Sequence, residues 1–221
     1  MDDSKLTELR ARMVRQQIEE RGIRDEAVLR AMRIVPRHLF VPERYQHRAY
    51  DDGPLPILAR QTISQPYVVA LMIAQLMLSP DDRVLEVGTG SGYAAAVLSR
   101  MVAQVYTIER HEKLVTYAQA RFERLGYDNI QVRHGDGTEG WPDHAPYDGI
   151  VVAAGGPSIP DPLRQQLAVG GRLVIPVGRK QRQQWLVRLT RLGLNQFEAE
   201  RLSPVAFVPL IGAAGWSQEE D

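Results

Sequence analysis

Three observations predict an α/β fold for this chain: a doubly wound, mostly parallel sheet with an antiparallel closing strand and an N-terminal helical extension. From Asp82 onward, short apolar runs alternate with helix-patterned segments, the order that builds parallel sheets through right-handed crossovers. The first such run, 84–87, leads into glycines at 88, 90 and 92 and then the helical-looking Tyr93-Ala-Ala-Ala-Val-Leu98. Finally, two strand-like runs near the C-terminus follow one another across a Gly/Gln-rich turn with no helix between them.

Each element has a local reason. Over 6–21, Leu6, Leu9, Met13, Val14, Gln17 and Ile18 share one helical stripe, and Gly22 stops it. Asp25 reads as the N-cap of a helix over 26–34 that Pro36 ends. The segment 35–57 has no period and reads as an extended arm whose Leu39, Phe40, Val41 and Tyr45 need burial. A helix over 66–78 opens on Pro66, where the missing N–H costs nothing. Strands are expected at 84–87, 104–108, 130–134, 147–153 and 171–177, with helices at 93–101, 112–125 and 160–166. The runs 184–191 and 197–204 read as an antiparallel pair. The chain thus divides into an N-terminal helical arm (1–80) packed on a core (81–216), with a polar tail at 217–221 expected to be disordered.

At 221 residues the chain is long enough for one domain with a sizeable core. Lys+Arg and Asp+Glu both number 27, so the net charge is zero and gives no support for a polyanionic partner. The basic run 179–182 reads as a solvated turn. Absence of cysteine removes disulfides and thiolate chemistry. No apolar run reaches membrane-spanning length, and Met-Asp-Asp-Ser-Lys lacks the apolar segment of a signal peptide. The expectation is a soluble cytoplasmic monomer with neither nucleic acid nor membrane as partner.

The glycine turn carries the chemistry. A strand delivering the chain to such a turn at a helix start brings backbone close to a nucleotide-like ligand. Twenty-one residues after Gly88, the run 105–108 ends at Glu109, where a neighbouring strand would set a carboxylate against ribose hydroxyls. The spacing is G-x-G-x-G, with Tyr93 where the dinucleotide fingerprint needs its last glycine. Glu86 before the turn would repel a phosphate and attract a sulfonium or ammonium group. Asp136 and Gly137, in His134-Gly-Asp-Gly137 directly after a strand, could accept from and donate to an adenine edge. A plain glycine turn, a solvent-facing Glu109 and an ordinary Asp-Gly turn are the bland readings of the same residues. The segment Glu86-Val-Gly-Thr-Gly-Ser-Gly92 resembles motif I of the class I S-adenosylmethionine-dependent methyltransferases, whose sheet is Rossmann-like. Tyr147-Asp-Gly-Ile150 and LAVGGRLVIPVG (167–178) are similar to their motifs II and III.

Upstream lies Gln61-Thr-Ile-Ser-Gln-Pro66, in which Ser64 by spacing alone reads as an N-cap. This run, with MVRQQIEERGIRDEAVLRAMRIVPRHLFVP before it and VLEVGTGSGYAAAVLSRMV after it, resembles the protein-L-isoaspartate O-methyltransferases. YTIER, GYDNIQVRHGDGTEGWPDHAPYD and GGRLVIPVG extend the resemblance over 9–216. It implies a repair enzyme that transfers methyl from S-adenosyl-L-methionine to the free α-carboxylate of isoaspartyl residues in damaged peptides and proteins. It also implies Ser64 as the active-site serine, with Thr62 beside it in substrate binding. Cofactor binding then falls to Glu86, Gly88, Gly90, Gly92, Glu109, Asp136 and Gly137, with no metal. The segment Phe207-Val-Pro-Leu210, including Val208, would close over the peptide. Arg60 departs from the glycine that many relatives carry before Gln-Thr-Ile-Ser.

A carboxylic acid of pKa near ~4 is ionised at neutral pH, so a carboxylate nucleophile needs no general base. Ser64 is therefore read as a positioning group, and His111 and His134 as incidental. Two rivals share the sheet: a nucleic-acid or small-molecule methyltransferase, and a silent cofactor-binding module. Against nucleic acid stands Ala153-Ala-Gly-Gly-Pro157, where an Asn/Asp-Pro-Pro-aromatic motif would sit.

Overall fold

The computed structural model describes residues 2–180 and 183–217. Gln181 and Arg182 of the basic run and 218–221 of the expected tail lie outside them. Helix α1 (Asp3–Met13) passes into a π-helical turn over Val14–Glu19 instead of running on as one α-helix to residue 21. The wider winding is closed by Glu20 N–H to Arg15 C=O and Ile23 N–H to Ile18 C=O. Val14 and Ile18 stay buried there, and the Gln17 amide donates to Tyr50 C=O at 2.9 Å. Gly22, at φ +99°, ends the segment.

Helix α2 (Glu26–Ile34) matches its expected span because both ends are chemically marked. The Asp25 carboxylate accepts from Ala27 N–H and Val28 N–H at 2.9 and 3.2 Å, and Val28, Leu29, Ala31 and Met32 are buried. The stretch after it is not an extended arm. It folds as two 3₁₀ turns, Arg37–Phe40 and Glu43–Arg48, each opened by a proline at 36 or 42. Strands β1 (Leu55–Pro56) and β2 (Thr62–Ile63) then form an antiparallel hairpin, Leu55 opposite Ile63. Phe40 and Val41 are buried, and Leu39 and Tyr45 pack partly buried against the same core. Helix α3 (Pro66–Ala74) stops short of residue 78 because Met77 turns left-handed, at φ +53°.

The core alternates as expected: β3 (Arg83–Val87), α4 (Tyr93–Leu98), β4 (Gln104–Glu109), α5 (Glu112–Leu125), β5 (Ile130–His134), β6 (Tyr147–Val152), α6 (Asp161–Gln165), β7 (Leu167–Lys180), β8 (Gln183–Arg191) and β9 (Phe197–Val205). Their order in the sheet is β5-β4-β3-β6-β7-β8-β9. The pairs β3–β4, β4–β5, β3–β6 and β6–β7 are parallel, whereas β8 opposes both β7 and β9. So β8 alone is reversed, and β9 resumes the common direction. Strand β7 begins before residue 171 because Gly170, at φ +85°, and Gly171 absorb an irregularity in its pairing with β6.

Strand alternation sorts the side chains. Val84, Val105, Val151 and Val174 join one apolar cluster with Val28, Met32, Ile73 and Phe122 from the helices. Leu85, Val87, Ile150, Val152, Leu173 and Ile175 face the opposite cluster with Leu163. The N-terminal helices thus share a core with the sheet. The chain leaves β3 toward β4 and β5, then returns to the other side at β6. That reversal opens a crevice at the carboxyl ends of β3 and β6.

Asp25→Ala removes both acceptor bonds at the start of α2. It should lower stability by about 1 kcal/mol, read as a shift in urea midpoint at constant slope.

Candidate active site

The glycine turn sits where the strand order reverses. Gly88 N–H donates to Ile108 C=O at 2.8 Å, tying the end of β3 to β4. Gly88 is at φ +95°, and a Cβ on it would lie 3.4 Å from the Ala153 methyl. Gly92, at φ +90°, is needed for a different contact. A Cβ there would come within 2.5 Å of the Phe122 ring, so this glycine lets α4 pack on α5.

A cavity of about 430 Å³ opens at these strand ends, a size suited to a nucleoside-like guest. Its lining includes Glu86, Gly88, Gly90, Glu109 and Gly137 from the strand ends, and Thr62, Ser64 and Val208 from the segments before α3 and after β9. Of the expected residues, Gly92 and Asp136 are outside the lining. The Asp136 carboxylate accepts from Thr138 N–H, Thr138 Oγ1 and Ala213 N–H at 2.7–2.8 Å. It therefore caps a 3₁₀ turn and anchors the C-terminal loop. Its neighbour Gly137 borders the cavity itself, packed so closely on Val87 that a Cβ would sit 2.3 Å from a methyl.

Glu109 ends β4 almost fully buried. Its Oε2 accepts from Gly90 N–H and its Oε1 from His111 N–H, both at 2.9 Å. Each oxygen keeps a second lone pair. Glu86 is deeper: Thr107 Oγ1 donates to Glu86 Oε2 at 2.5 Å, and Thr89 Oγ1 lies 2.6 Å from that threonine hydroxyl. Burial pushes the Glu86 carboxyl up to about 8; the Thr107 bond opposes this and the nearby Glu109 charge adds to it. Burial thus favours the neutral form of Glu86 near pH 7. It becomes an attractive charge for a sulfonium only when a bound cation draws off the proton.

In the segment before α3, Ser64 does not cap that helix. The N-cap position belongs to Gln65, and no side chain caps there. The Ser64 carbonyl accepts from Arg37 Nη2 at 2.8 Å. The hairpin before it turns through Ala59 and Arg60 at φ +53° and +55°, closed by Gln61 N–H to Leu58 C=O. Two successive left-handed residues make the tight hairpin turn that Asn-Gly ordinarily fills. Arg60 borders the cavity mouth from that turn. Beyond β9, Val208 C=O accepts from Gly155 N–H, and Leu210 N–H donates to Gly155 C=O. Buried Gln184 takes Phe207 N–H at 2.8 Å and so fixes the start of this segment. Of the two histidines, His111 lines the cavity, whereas His134 is exposed and pairs with Arg110 C=O.

Sequence reasoning missed Arg37, Thr107 and Gln184. Their one signal is a polar residue within an apolar or strand-patterned run, and a partner for it shows only in three dimensions.

The family model described as protein-L-isoaspartate(D-aspartate) O-methyltransferase matches residues 8–215. The chain belongs to that family. A protein-L-isoaspartate O-methyltransferase 2 from Pelobacter propionicus is 59% identical over 204 residues, covering 92% of this chain and 91% of its own. A protein-L-isoaspartate O-methyltransferase 1 from Geotalea uraniireducens is 58% identical over 211 residues, covering 96% of both chains. A solved protein-L-isoaspartate O-methyltransferase superposes with TM-score 0.84 at 30% identity, over 93% of this chain and 67% of its own. A putative one from Plasmodium falciparum, in complex with S-adenosyl-L-homocysteine, gives TM-score 0.80 at 27% identity, over 91% and 98%. Membership in this family makes the chain an S-adenosylmethionine-dependent O-methyltransferase. The site suits that cofactor: Gly137 borders the cavity with no room beside it for a side chain, Gly88 holds a left-handed φ that side chains rarely adopt, and Glu109 offers free lone pairs.

Glu86 makes stability fall with rising pH. Below its unfolded value of 4.5 both states hold the proton. Between 4.5 and about 8 only the folded state holds it, so stability drops through that window. Glu86→Gln should flatten this dependence, gaining on the native chain by a few kcal/mol by pH 9. Urea unfolding of both proteins from pH 5 to pH 9 measures the difference, and parallel curves would refute the assignment.

Proposed function

We propose that the chain transfers the methyl group of S-adenosyl-L-methionine to the free α-carboxylate of L-isoaspartyl residues in damaged proteins and peptides. The observation that carries this reading is Ser64, released from capping and facing the same cavity as the glycine turn and Glu109. Family membership supports it. The cofactor, when bound, supplies an electrophilic methyl on a sulfonium.

The protein's own residues hold and shield. Ser64 Oγ, which makes no hydrogen bond among the described residues, donates to one carboxylate oxygen of the substrate. Thr62 sits two residues earlier in the same lining. Orientation of an already ionised nucleophile supplies several kcal/mol without proton transfer. Burial helps as well, because a heavily hydrated carboxylate is a weaker nucleophile. Glu109 accepts from ribose hydroxyls while its backbone bonds hold it still. The glycines at 88 and 90 keep the turn open to the guest, Gly92 supports it from behind by letting α4 pack on α5, and Glu86 and Gly137 border the same space. Asp136 acts by placing Gly137 and the 212–214 loop. Val208 and its neighbours wall the peptide side through main chain, which tolerates varied flanking residues.

In this reading the arm of 1–80 presents the substrate segment and the core of 81–216 holds the cofactor. Zero net charge favours protein over nucleic-acid substrates. No helix among the described residues is long and apolar enough to cross a membrane. We take the enzyme to work as a cytoplasmic monomer.

Purified protein should release methyl ester from an isoaspartyl peptide and none from the matched aspartyl peptide; equal or absent labelling of both would overturn the reading. Ser64→Ala should lower kcat by about tenfold or more while S-adenosylhomocysteine affinity, read by calorimetry, stays within a few-fold. Glu109→Ala should do the reverse, weakening cofactor-product binding first, by about tenfold.

A further inference from the structure

Arg37 is the largest fully buried side chain among the described residues, at 0% exposure. Its Nε donates to Ala49 C=O and its Nη2 to Ser64 C=O, both at 2.8 Å. The guanidinium lies over the Tyr93 ring, 4.9 Å from its centroid. Nη1 and the buried Tyr93 hydroxyl make no hydrogen bond of good geometry, although the two side chains are close enough to interact, and Tyr93 lines the cavity. The ionisable groups acting on Arg37 are Tyr93 and Tyr50, and no carboxylate among the described residues pairs with it. Burial pulls its pKa down only to about 10, so it stays charged at neutral pH.

A buried cation without a counter-ion is destabilising by several kcal/mol, and a well-packed apolar side chain would ordinarily serve the fold better. Two carbonyl dipoles and one ring face stabilise the charge in part, and no anion among the described residues neutralises it. Arg37 itself does not line the cavity, but its bond partner Ser64 does. One of the two carbonyls belongs to Ser64, the residue against which the proposed function sets an anionic nucleophile.

We propose that Arg37 is a positioning residue for methyl transfer: it fixes the Thr62–Ser64 segment through the Ser64 carbonyl, and its uncompensated charge draws the substrate carboxylate to that segment. The inference rests on the proposed function, yet binding alone can judge it. Two ligands are needed, an isoaspartyl peptide and the same peptide with the α-carboxylate replaced by a neutral carboxamide. The native protein, loaded with S-adenosylhomocysteine, should bind the carboxylate form more tightly. Arg37→Gln should erase about tenfold or more of that preference while carboxamide-peptide affinity moves less than about threefold. Arg37→Lys keeps the charge without the two-carbonyl fork. It should keep the preference within about threefold and lose about tenfold in kcat, and it serves alone if Arg37→Gln fails to fold.

Equal weakening of both peptides in Arg37→Gln, or an unchanged preference, overturns the electrostatic role. Native kcat in Arg37→Lys overturns the positioning role. In the Lys variant, loss of the preference would likewise overturn the electrostatic role. A native enzyme that binds the peptides with the stated preference but transfers no methyl would instead refute the functional reading.

Discussion

The site depends on one carboxylate that joins two strands and a helix. Glu109 leaves the end of β4, accepts from Gly90 in the turn after β3, and accepts again from His111 at the start of α5. Both bonds are to backbone, so the glycine turn and the helix start are fixed relative to each other without help from side-chain packing. Because the carboxylate is nearly buried, these bonds act in a medium where they are stronger than in water. The side chain is thus held at both oxygens.

Charge is distributed unevenly around that anchor. The cavity lining holds two carboxyls, Glu109 and a Glu86 whose pKa burial raises, while the buried guanidinium of Arg37 reaches the lining through the Ser64 carbonyl. In the proposed reaction a cationic cofactor would meet the carboxyls of this lining, and an anionic substrate would meet the Ser64 segment that Arg37 holds, within one cavity of about 430 Å³.

Much of this was legible from the residues. Helices α2 and α5 fall on their expected spans: Asp25 and Pro36 mark the ends of α2, and the structure shows left-handed Gly126 closing α5. The parallel strands showed as apolar runs, since burial on both faces leaves little room for polar alternation. The arm after Pro36 was opaque: 3₁₀ turns of four and six residues carry no period long enough to detect. A two-residue strand such as β2 is equally silent, as is the switch to π winding at Val14. At the site, Thr62, Ser64, Glu86, Glu109, Gly137 and Val208 do share one cavity, whereas Asp136 turns its carboxylate to a loop 77 residues away. Arg37 was invisible for a general reason: arginine in a sequence announces a surface, and nothing local says that Ala49 and Ser64 will close over it.

The two outer strands of the sheet carry their own consequence. Strand β9 shows Glu198, Glu200, Arg201 and Pro204 to solvent, and β5 shows Gln131, Arg133 and His134. Unpaired peptide groups along a sheet border invite another extended chain to add itself, and ionic side chains or proline discourage it. An enzyme whose clients are aged proteins meets loosened, strand-ready polypeptide throughout its working life. With guarded borders, a client is steered to the cleft rather than zipped onto the flank.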